Sequence, residues 1–116
     1  MPIPNAENAS IAAEKVTEYL LNPSHPVGGS KARWFISLGY DPDHPGGLAN
    51  DLLDLVRRTD SFTTEESPFG VKYNVAGRMV TPSGRRVNVM TVWIFERGDS
   101  APRLVTAYPG RRATDE

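Results

Sequence analysis

The first half of the chain places its apolar residues at helical spacing. In three stretches they recur every three or four positions, as one face of an amphipathic helix requires. The three stretches are 11–21, 31–38 and 48–58. Segments rich in proline and glycine separate them, and such segments are typical of loops. We therefore predict three helices. Asn8 or Ser10 would cap the first, Ser30 would cap the second, and Gly39 would end the second.

The second half changes to a period of two, which predicts β-strands. Four alternating runs are separated by short turns that contain glycine or proline, and consecutive strands joined in this way pair antiparallel. The runs are 61–66, 71–81, 85–96 and 103–108. This order predicts an α+β domain over residues 1–110, with three N-terminal helices packed on one face of a four-stranded antiparallel sheet. Residues 111–116 are predicted to be a disordered polar tail.

The last two strands give each face of the sheet its own character, if Glu96 pairs with Arg103. One set is small and aliphatic, suited to lying under helices: Met90, Val92, Ile94, Val105 and Ala107. The other set mixes aromatic rings with hydroxyls, which favours an open ligand-binding face: Thr91, Trp93, Phe95, Leu104, Thr106 and Tyr108. The preference of such residues for strands explains the second set equally well.

Gly77 is a candidate β-bulge within the second predicted strand. One extra residue there would change which side chains of that strand join the aromatic face. The two alternatives are Lys72 with Asn74, or Tyr73 with Val75, and the pattern leaves both open.

Composition excludes several classes of protein. The chain has no cysteine, so disulfides, thiolate metal sites and cysteine nucleophiles are absent. No apolar run approaches 18 residues and no signal-peptide pattern opens the chain, which predicts a cytoplasmic protein without a membrane span. The net charge is −1. Residues 1–60 carry five basic and eight acidic side chains, whereas residues 61–116 carry eight basic and six acidic. The sheet half is therefore mildly basic, either by chance or because it meets an anion.

Motif chemistry predicts neither a cofactor nor a metal. No complete glycine-rich phosphate loop is present, and no pair of histidines has the spacing of a metal site. His25 and His44 are the only histidines, and they lie on separate loops. RNA cleavage without a metal needs an acid, a base and cations for the phosphorane. His25 could supply the first two or could simply hold its loop, and Lys31 could bind phosphate or be a solvated helix charge.

Several blocks of sequence, taken together and in this order along residues 4–109, resemble the pattern of a known family. They are PNAENA at 4–9, YLLNP-x-HPVG at 19–28, KAR-x-F at 31–35, LGYDP at 38–42, G-x-KY at 70–73, TVWI at 91–94 and PRLVTAYP at 102–109. The chain thereby resembles a family of small bacterial domains of unknown function, found beside a small partner gene or as the C-terminal tip of polymorphic toxins. That family is in turn similar to the barnase–EndoU–colicin–RelE group of metal-independent ribonucleases, which build their active site on the open face of a four-stranded sheet.

The resemblance implies a site drawn from both halves of the chain. The implied catalytic residues are His25, Lys31, Arg103, Thr106 and Tyr108. The candidate substrate-binding residues are Arg33, Lys72, Thr91 and Trp93, with Trp93 stacking on a base. Gly29 and Ser30 depart from the family pattern, which commonly has an arginine followed by a histidine there. If that histidine is catalytic, this chain would be impaired.

Two functions of different classes follow as expectations. The first is a metal-independent endoribonuclease-type toxin of a toxin–antitoxin or polymorphic-toxin system, with RNA as substrate. The second is a non-catalytic binding module that pairs with a small antitoxin or immunity-like protein through its open sheet face. An assay for RNA cleavage distinguishes the two functions, because only the first predicts that RNA is cut.

Overall fold

The computed structural model describes residues 1–110, so the tail predicted for 111–116 lies outside the described residues. Within residues 1–110, helical segments precede a four-stranded sheet, which confirms the predicted α+β fold. The helical segments are a 3₁₀ turn (Ala6–Asn8), α1 (Ala13–Lys15) continued by a π-helix (Val16–Leu20), α2 (Gly29–Ser37) and α3 (Gly46–Arg58). The strands are β1 (Phe62–Ser67), β2 (Gly70–Val80), β3 (Arg86–Glu96) and β4 (Arg103–Pro109). None of the helices in this range is long and apolar enough to cross a bilayer.

The helix starts differ from the predicted caps. The first helix begins at Ala13, and Ser10 instead lies against the start of β4, where its N–H donates to the Pro102 carbonyl at 3.1 Å. The second helix begins at Gly29, so Ser30 lies inside it and does not cap it. Both cap predictions were therefore wrong, because backbone contacts made elsewhere in the fold set these starts. Gly39 has φ 100° just beyond α2, which confirms it as the residue that ends that helix.

The four strands pair antiparallel in the order β1-β2-β3-β4. Pairing between β2 and β3 is continuous from Gly70 opposite Glu96 to Val80 opposite Arg86, so the candidate bulge at Gly77 is not present. Lys72 therefore lies beside Ile94, on the same face of the sheet.

The bulge of this sheet lies in β4. Trp93 is opposite Leu104 but Val92 is opposite Thr106, so Val105 is an extra residue on β4. The extra residue moves Thr106 onto the face of Val92, away from Trp93. Arg103 is opposite Ile94 rather than Glu96.

The predicted assignment of faces was wrong for β3 and for Leu104, whereas it holds for the second half of β4, where Ala107 lies under the helices. The helices cover the face that carries Thr91 and Trp93, and both side chains are fully buried there. The opposite, open face carries Thr106 and Tyr108 together with the alternate residues of β3 that were expected under the helices: Met90, Val92 and Ile94. There are two causes. The bulge reverses the faces to which side chains in the second half of β4 point, relative to the first half. The helices pack on the face of β3 that carries the large Trp93 ring.

A buried hydrogen-bond chain allows polar atoms to sit under the helices. The Trp93 indole N–H donates to the Thr91 hydroxyl at 2.8 Å, and that hydroxyl donates to the Val75 carbonyl at 2.8 Å. Both polar groups are satisfied, so their burial carries no penalty for a missing partner. The surrounding core is aliphatic and aromatic: Leu20, Phe35, Leu48, Leu52, Leu55, Val56, Met79, Val89 and Leu104.

Gly77 is required by close packing between α3 and β2. A Cβ built at Gly77 would lie 2.9 Å from Leu55 Cγ and 3.0 Å from Thr59 Oγ1. These are shorter than ordinary van der Waals contacts, so a side chain there would push the helix off the strand.

We expect Gly77→Ala to lower the free energy of unfolding by about 1–3 kcal/mol, since the methyl group must displace Leu55. Urea titration followed by circular dichroism measures this. The matched control is Gly47→Ala, because Gly47 lies in α3 and a Cβ there meets nothing within 4 Å. The control should leave stability unchanged or raise it by up to about 1 kcal/mol. Equal stability of the two variants would contradict this packing.

Candidate functional site

A lysine, a tyrosine and a threonine meet where the π-helix, α2 and the edge strand β4 converge. The Lys31 ammonium donates to the Tyr19 phenol oxygen at 2.7 Å. The same oxygen lies 3.1 Å from the Thr106 hydroxyl, which is 3.5 Å from Lys31 Nζ. The three groups are partly buried, so their charges and dipoles are screened less than those on the surface. With His25 and Tyr108, which lie against them, they are called the Tyr19 cluster below.

Two aromatic rings lie near the ammonium group of Lys31. Its Nζ lies 5.2 Å from the centre of the Tyr19 ring and 5.8 Å from the centre of the Tyr108 ring. Lys15 approaches the Tyr19 ring as well, with its Nζ at 5.4 Å. Both distances for Lys31 lie within the range of cation–π attraction, so a positive charge is stabilised at this point of the open face.

The electrostatic environment lowers the pKa of Tyr19. Burial alone raises the pKa of the phenol, but hydrogen bonds with Lys31 and Thr106 and the charges of Lys31 and Lys15 outweigh burial. The pKa of Tyr19 therefore lies below its ordinary value. A phenol with a lowered pKa beside an ammonium is a pair that can exchange a proton near a bound substrate.

His25 holds the loop that leads into α2. Its Nδ1 accepts hydrogen bonds from the backbone N–H groups of Val27 at 3.0 Å and Gly28 at 2.9 Å. The imidazole packs edge-on against the Tyr19 ring, with 5.0 Å between ring centres. An Nδ1 that accepts from the backbone leaves Nε2 as the protonated, donating nitrogen of the neutral ring. Of the two roles that the sequence left open, this geometry favours the loop-holding one and opposes an acid–base role.

The backbone at Gly28 and Gly29 packs too closely for larger residues. A Cβ at Gly29 would lie 2.6 Å from the Pro23 carbonyl oxygen, and one at Gly28 would lie 2.7 Å from two carbons of the Tyr19 ring. A basic residue at position 29 would require the 23–29 loop to move. The departure from the family pattern thus goes together with the tight packing that positions Tyr19 and His25.

Arg103 and Lys72 lie beside the Tyr19 cluster rather than in it. They flank Ile94 on the open face, at one side of a groove of about 390 Å³ that Ile11 and Lys15 also line. Arg103 forms ion pairs with Glu96 and, at 3.9 Å, with Asp99. Its charge is therefore largely neutralised in this structure.

The remaining predicted site residues lie elsewhere. Arg33 is exposed and donates to the Pro23 carbonyl at 3.1 Å, and it faces away from Lys31 because residues two apart do not share a helix face. Thr91 and Trp93 are in the core. The prediction that Trp93 stacks on a base was wrong, since its side chain is 0% exposed. The structure thus brings together four predicted residues: His25, Lys31, Thr106 and Tyr108.

Sequence reasoning missed Tyr19 as a functional candidate. Tyr19 lies in the stretch 11–21, whose apolar spacing predicted one face of a helix and in which Val16 and Leu20 are indeed buried. Its hydroxyl meets Lys31 and Thr106, which are 12 and 87 positions away along the chain. Only the tertiary fold creates this meeting, so helical spacing alone could not have revealed it.

The chain is an α+β domain with the Tyr19 cluster at the edge strand of its sheet. Comparison with known proteins shows the family to which this domain belongs. Residues 2–111 match the family model of a domain of unknown function, DUF6883, and the chain belongs to that family. A chain of the contact-dependent growth inhibition toxin–immunity protein complex from Klebsiella pneumoniae 342 has a similar fold. The TM-score is 0.71 at 16% sequence identity, over 93% of this chain and 98% of that chain. No curated protein matches the chain significantly.

Proposed function

We propose that this domain is a metal-independent endoribonuclease-type toxin of a bacterial toxin–antitoxin or polymorphic-toxin system, acting on RNA in the cytoplasm. The observation that carries the proposal is the 2.7 Å hydrogen bond from Lys31 to the Tyr19 phenol, with Thr106 beside it. A fold shared with a chain from a toxin–immunity complex supports the toxin role by analogy. A small antitoxin or immunity-like protein is the partner that such a role implies.

The reaction is an internal transesterification of RNA. The Tyr19 phenolate removes the proton of a 2′-hydroxyl, and the resulting oxygen attacks the adjacent phosphorus. The bond from phosphorus to the 5′-oxygen breaks, and the Lys31 ammonium donates a proton to that leaving oxygen. The products are a 2′,3′-cyclic phosphate and a 5′-hydroxyl, and no external reactant is consumed.

The same hydrogen bond resets the site. After one turnover Tyr19 holds an extra proton and Lys31 lacks one, and the 2.7 Å separation lets the proton pass from the phenol to the amine. The lowered pKa of Tyr19 favours the phenolate that starts the cycle. While it is charged, the Lys31 ammonium also stabilises the negative charge of the phosphorane.

The other residues of the Tyr19 cluster position the substrate. Thr106 orients the Tyr19 oxygen across the 3.1 Å separation, and the Tyr108 ring, 5.8 Å from Lys31 Nζ, helps to fix the ammonium. His25 Nε2–H is available as a donor to a phosphate oxygen, because Nδ1 is occupied by the backbone. Lys72 and Arg103 lie along the continuation of the open face and would meet the RNA strand beyond the cleaved bond.

Expression in a bacterium tests the proposal. Induction of the native chain should arrest growth and fragment total RNA on a gel, and Lys31→Ala should abolish both effects. Arg33→Ala is the matched control, since it removes one positive charge from the same helix but lies outside the Tyr19 cluster. It should behave as the native chain does. Healthy cells with intact RNA after induction of stable native protein would refute the toxin proposal.

The second candidate is a non-catalytic module that binds a small partner through the open face. The observation that favours it is that the Klebsiella pneumoniae chain of similar fold was solved in a toxin–immunity protein complex. The expression experiment separates the two functions, because a binding module leaves RNA intact whichever residue is changed.

A further inference from the structure

Three arginines surround a second groove at the far end of the sheet. They are Arg78 on β2, Arg86 at the start of β3, and Arg85 in the turn before it. The groove has a volume of about 310 Å³ and is completed by Trp34, Val87, Asn88, Pro109 and Gly110. Arginines with an aromatic ring beside them suit the phosphates and bases of nucleic acid.

The three guanidinium groups have no acidic partner within residues 1–110. By contrast, Arg58 pairs with Asp54 at 2.8 Å, and Arg103 pairs with Glu96 and Asp99. Asp51 and Asp54 line a neighbouring groove with Arg78 and Arg86; Asp54 pairs with Arg58, whereas Asp51 accepts a hydrogen bond from the neutral Tyr40 hydroxyl and keeps its negative charge. Three arginines against the single Asp51 carboxylate leave a net positive charge at this end of the sheet, which attracts an anion.

The groove continues the surface that carries the Tyr19 cluster. Tyr108 is opposite Met90 on β3. Arg78 is opposite Asn88, two residues closer to the start of that strand. At about 3.3 Å per residue, Asn88 lies about 7 Å and Arg86 about 13 Å beyond the position of Tyr108. Arg78, Asn88 and Arg86 alternate onto the open face that carries Tyr108, whereas Val87 and Trp34 lie on the helix side. The groove therefore wraps round this end of the sheet, and a strand of RNA could reach it from the Tyr19 cluster along the open face.

Helix α2 forms the rim shared by the two regions. Lys31 and Trp34 are three positions apart, which places them on neighbouring turns of one helix side. Lys31 belongs to the Tyr19 cluster, and Trp34 is half-buried at the arginine groove, where its ring packs against Phe35 at 4.9 Å. A rigid rim therefore holds the two regions at a fixed separation.

We infer that the groove formed by Arg78, Arg85, Arg86 and Trp34 is a subsite for single-stranded RNA, which binds phosphates a few nucleotides from the bond that the Tyr19 cluster cleaves. This inference rests on the proposed ribonuclease function. The arginines hold the backbone by charge and Trp34 offers the partly exposed ring as a stacking surface. The subsite gives affinity without reading sequence, as interactions with phosphate do.

Binding of a labelled single-stranded DNA oligonucleotide to the full chain, followed by fluorescence anisotropy, tests this subsite. DNA lacks the 2′-hydroxyl and cannot be cleaved by the proposed reaction, so binding is measured without turnover. We expect Arg85→Ala/Arg86→Ala to weaken binding at least tenfold at low salt. The slope of log affinity against log salt concentration should become shallower by about 0.7 for each phosphate that the variant no longer neutralises.

The matched control is Arg33→Ala/Arg97→Ala, which removes the same charge from exposed positions outside the groove. It should change the affinity no more than a few-fold. Equal loss of affinity and equal salt slopes in the two double variants would overturn the subsite and leave the arginines as a surface for an acidic protein. Loss of binding confined to the groove variant, in a chain that cuts no RNA, would retain the subsite and eliminate the proposed reaction.

Discussion

Replacing Lys31 by methionine should reduce the single-turnover rate constant of RNA cleavage by at least about 100-fold. The substitution keeps an unbranched side chain near the Tyr19 and Tyr108 rings but removes the proton and the positive charge that the proposed reaction requires of Lys31. Rapid-quench kinetics with a labelled oligoribonucleotide measures the rate constant. A variant as fast as the native chain would eliminate Lys31 from the mechanism.

The pH dependence of the same reaction separates a chemical role of Lys31 from a structural one. Tyr19 must be deprotonated to act as the base, so the rate should rise with pH through the pKa of Tyr19. Because the hydrogen bond and charge of Lys31 lower that pKa, Lys31→Met should raise it and shift the rise to higher pH. Lys15→Met is the control, since Lys15 approaches the same ring at 5.4 Å with no hydrogen bond to the phenol. It should cause a smaller shift and only a few-fold loss of rate.

Trp93→Ala should lower the free energy of unfolding by about 3–5 kcal/mol, as removal of a large buried aromatic side chain does. The indole is fully buried under the helices, and its N–H belongs to the hydrogen-bond chain through Thr91 to Val75. Urea denaturation monitored by far-UV circular dichroism measures the loss.

Comparison with Tyr108→Ala tests which face of the sheet lies under the helices. Tyr108 lies half-buried on the open face, so its removal should cost much less stability, about 1 kcal/mol. If the open face carried Trp93, the two losses would be similar and small. Comparable destabilisation by the two variants would therefore contradict the placement of Trp93 in the core.

The order of helices and strands could be predicted from the sequence, because apolar spacing and turn residues are signals contained within short stretches of the chain. The change from helical spacing to alternation near residue 60 marks the real boundary between α3 and β1, and turns with Gly70 and Gly84 separate the strands where expected. Helix starts were less predictable. Ser10 and Ser30 have the chemistry of caps, but the backbone pairing of Ser10 with β4 and the tight loop before Gly29 decide where the helices begin.

The faces of the sheet could not be read from alternation alone. One extra residue at Val105 reverses the side of every residue after it, and nothing about valine signals a bulge. The two hydroxyl residues Thr91 and Thr106 appeared equivalent by pattern, yet one lies in the core and the other at the Tyr19 cluster.

The candidate site was predicted only in part, since its centre depends on the meeting of distant segments. Four of its members carried chemistry that the sequence displays, whereas Tyr19 looked like a core residue of an amphipathic helix. For His25 the sequence left an acid–base role and a loop-holding role open, because its bonds to the backbone of Val27 and Gly28 are visible only in the folded loop.

The proposed transesterification by Tyr19 and Lys31 requires a 2′-hydroxyl next to the cleaved bond and no metal ion. The most direct measurement incubates the purified chain, in EDTA, with oligodeoxynucleotides that each carry one ribonucleotide, with every base represented, and identifies the products by mass spectrometry. We expect a single cut after the ribonucleotide, giving a 2′,3′-cyclic phosphate and a 5′-hydroxyl, and no cut with Tyr19→Phe. Intact oligonucleotides, or cleavage that occurs equally in all-DNA strands, would contradict the claim.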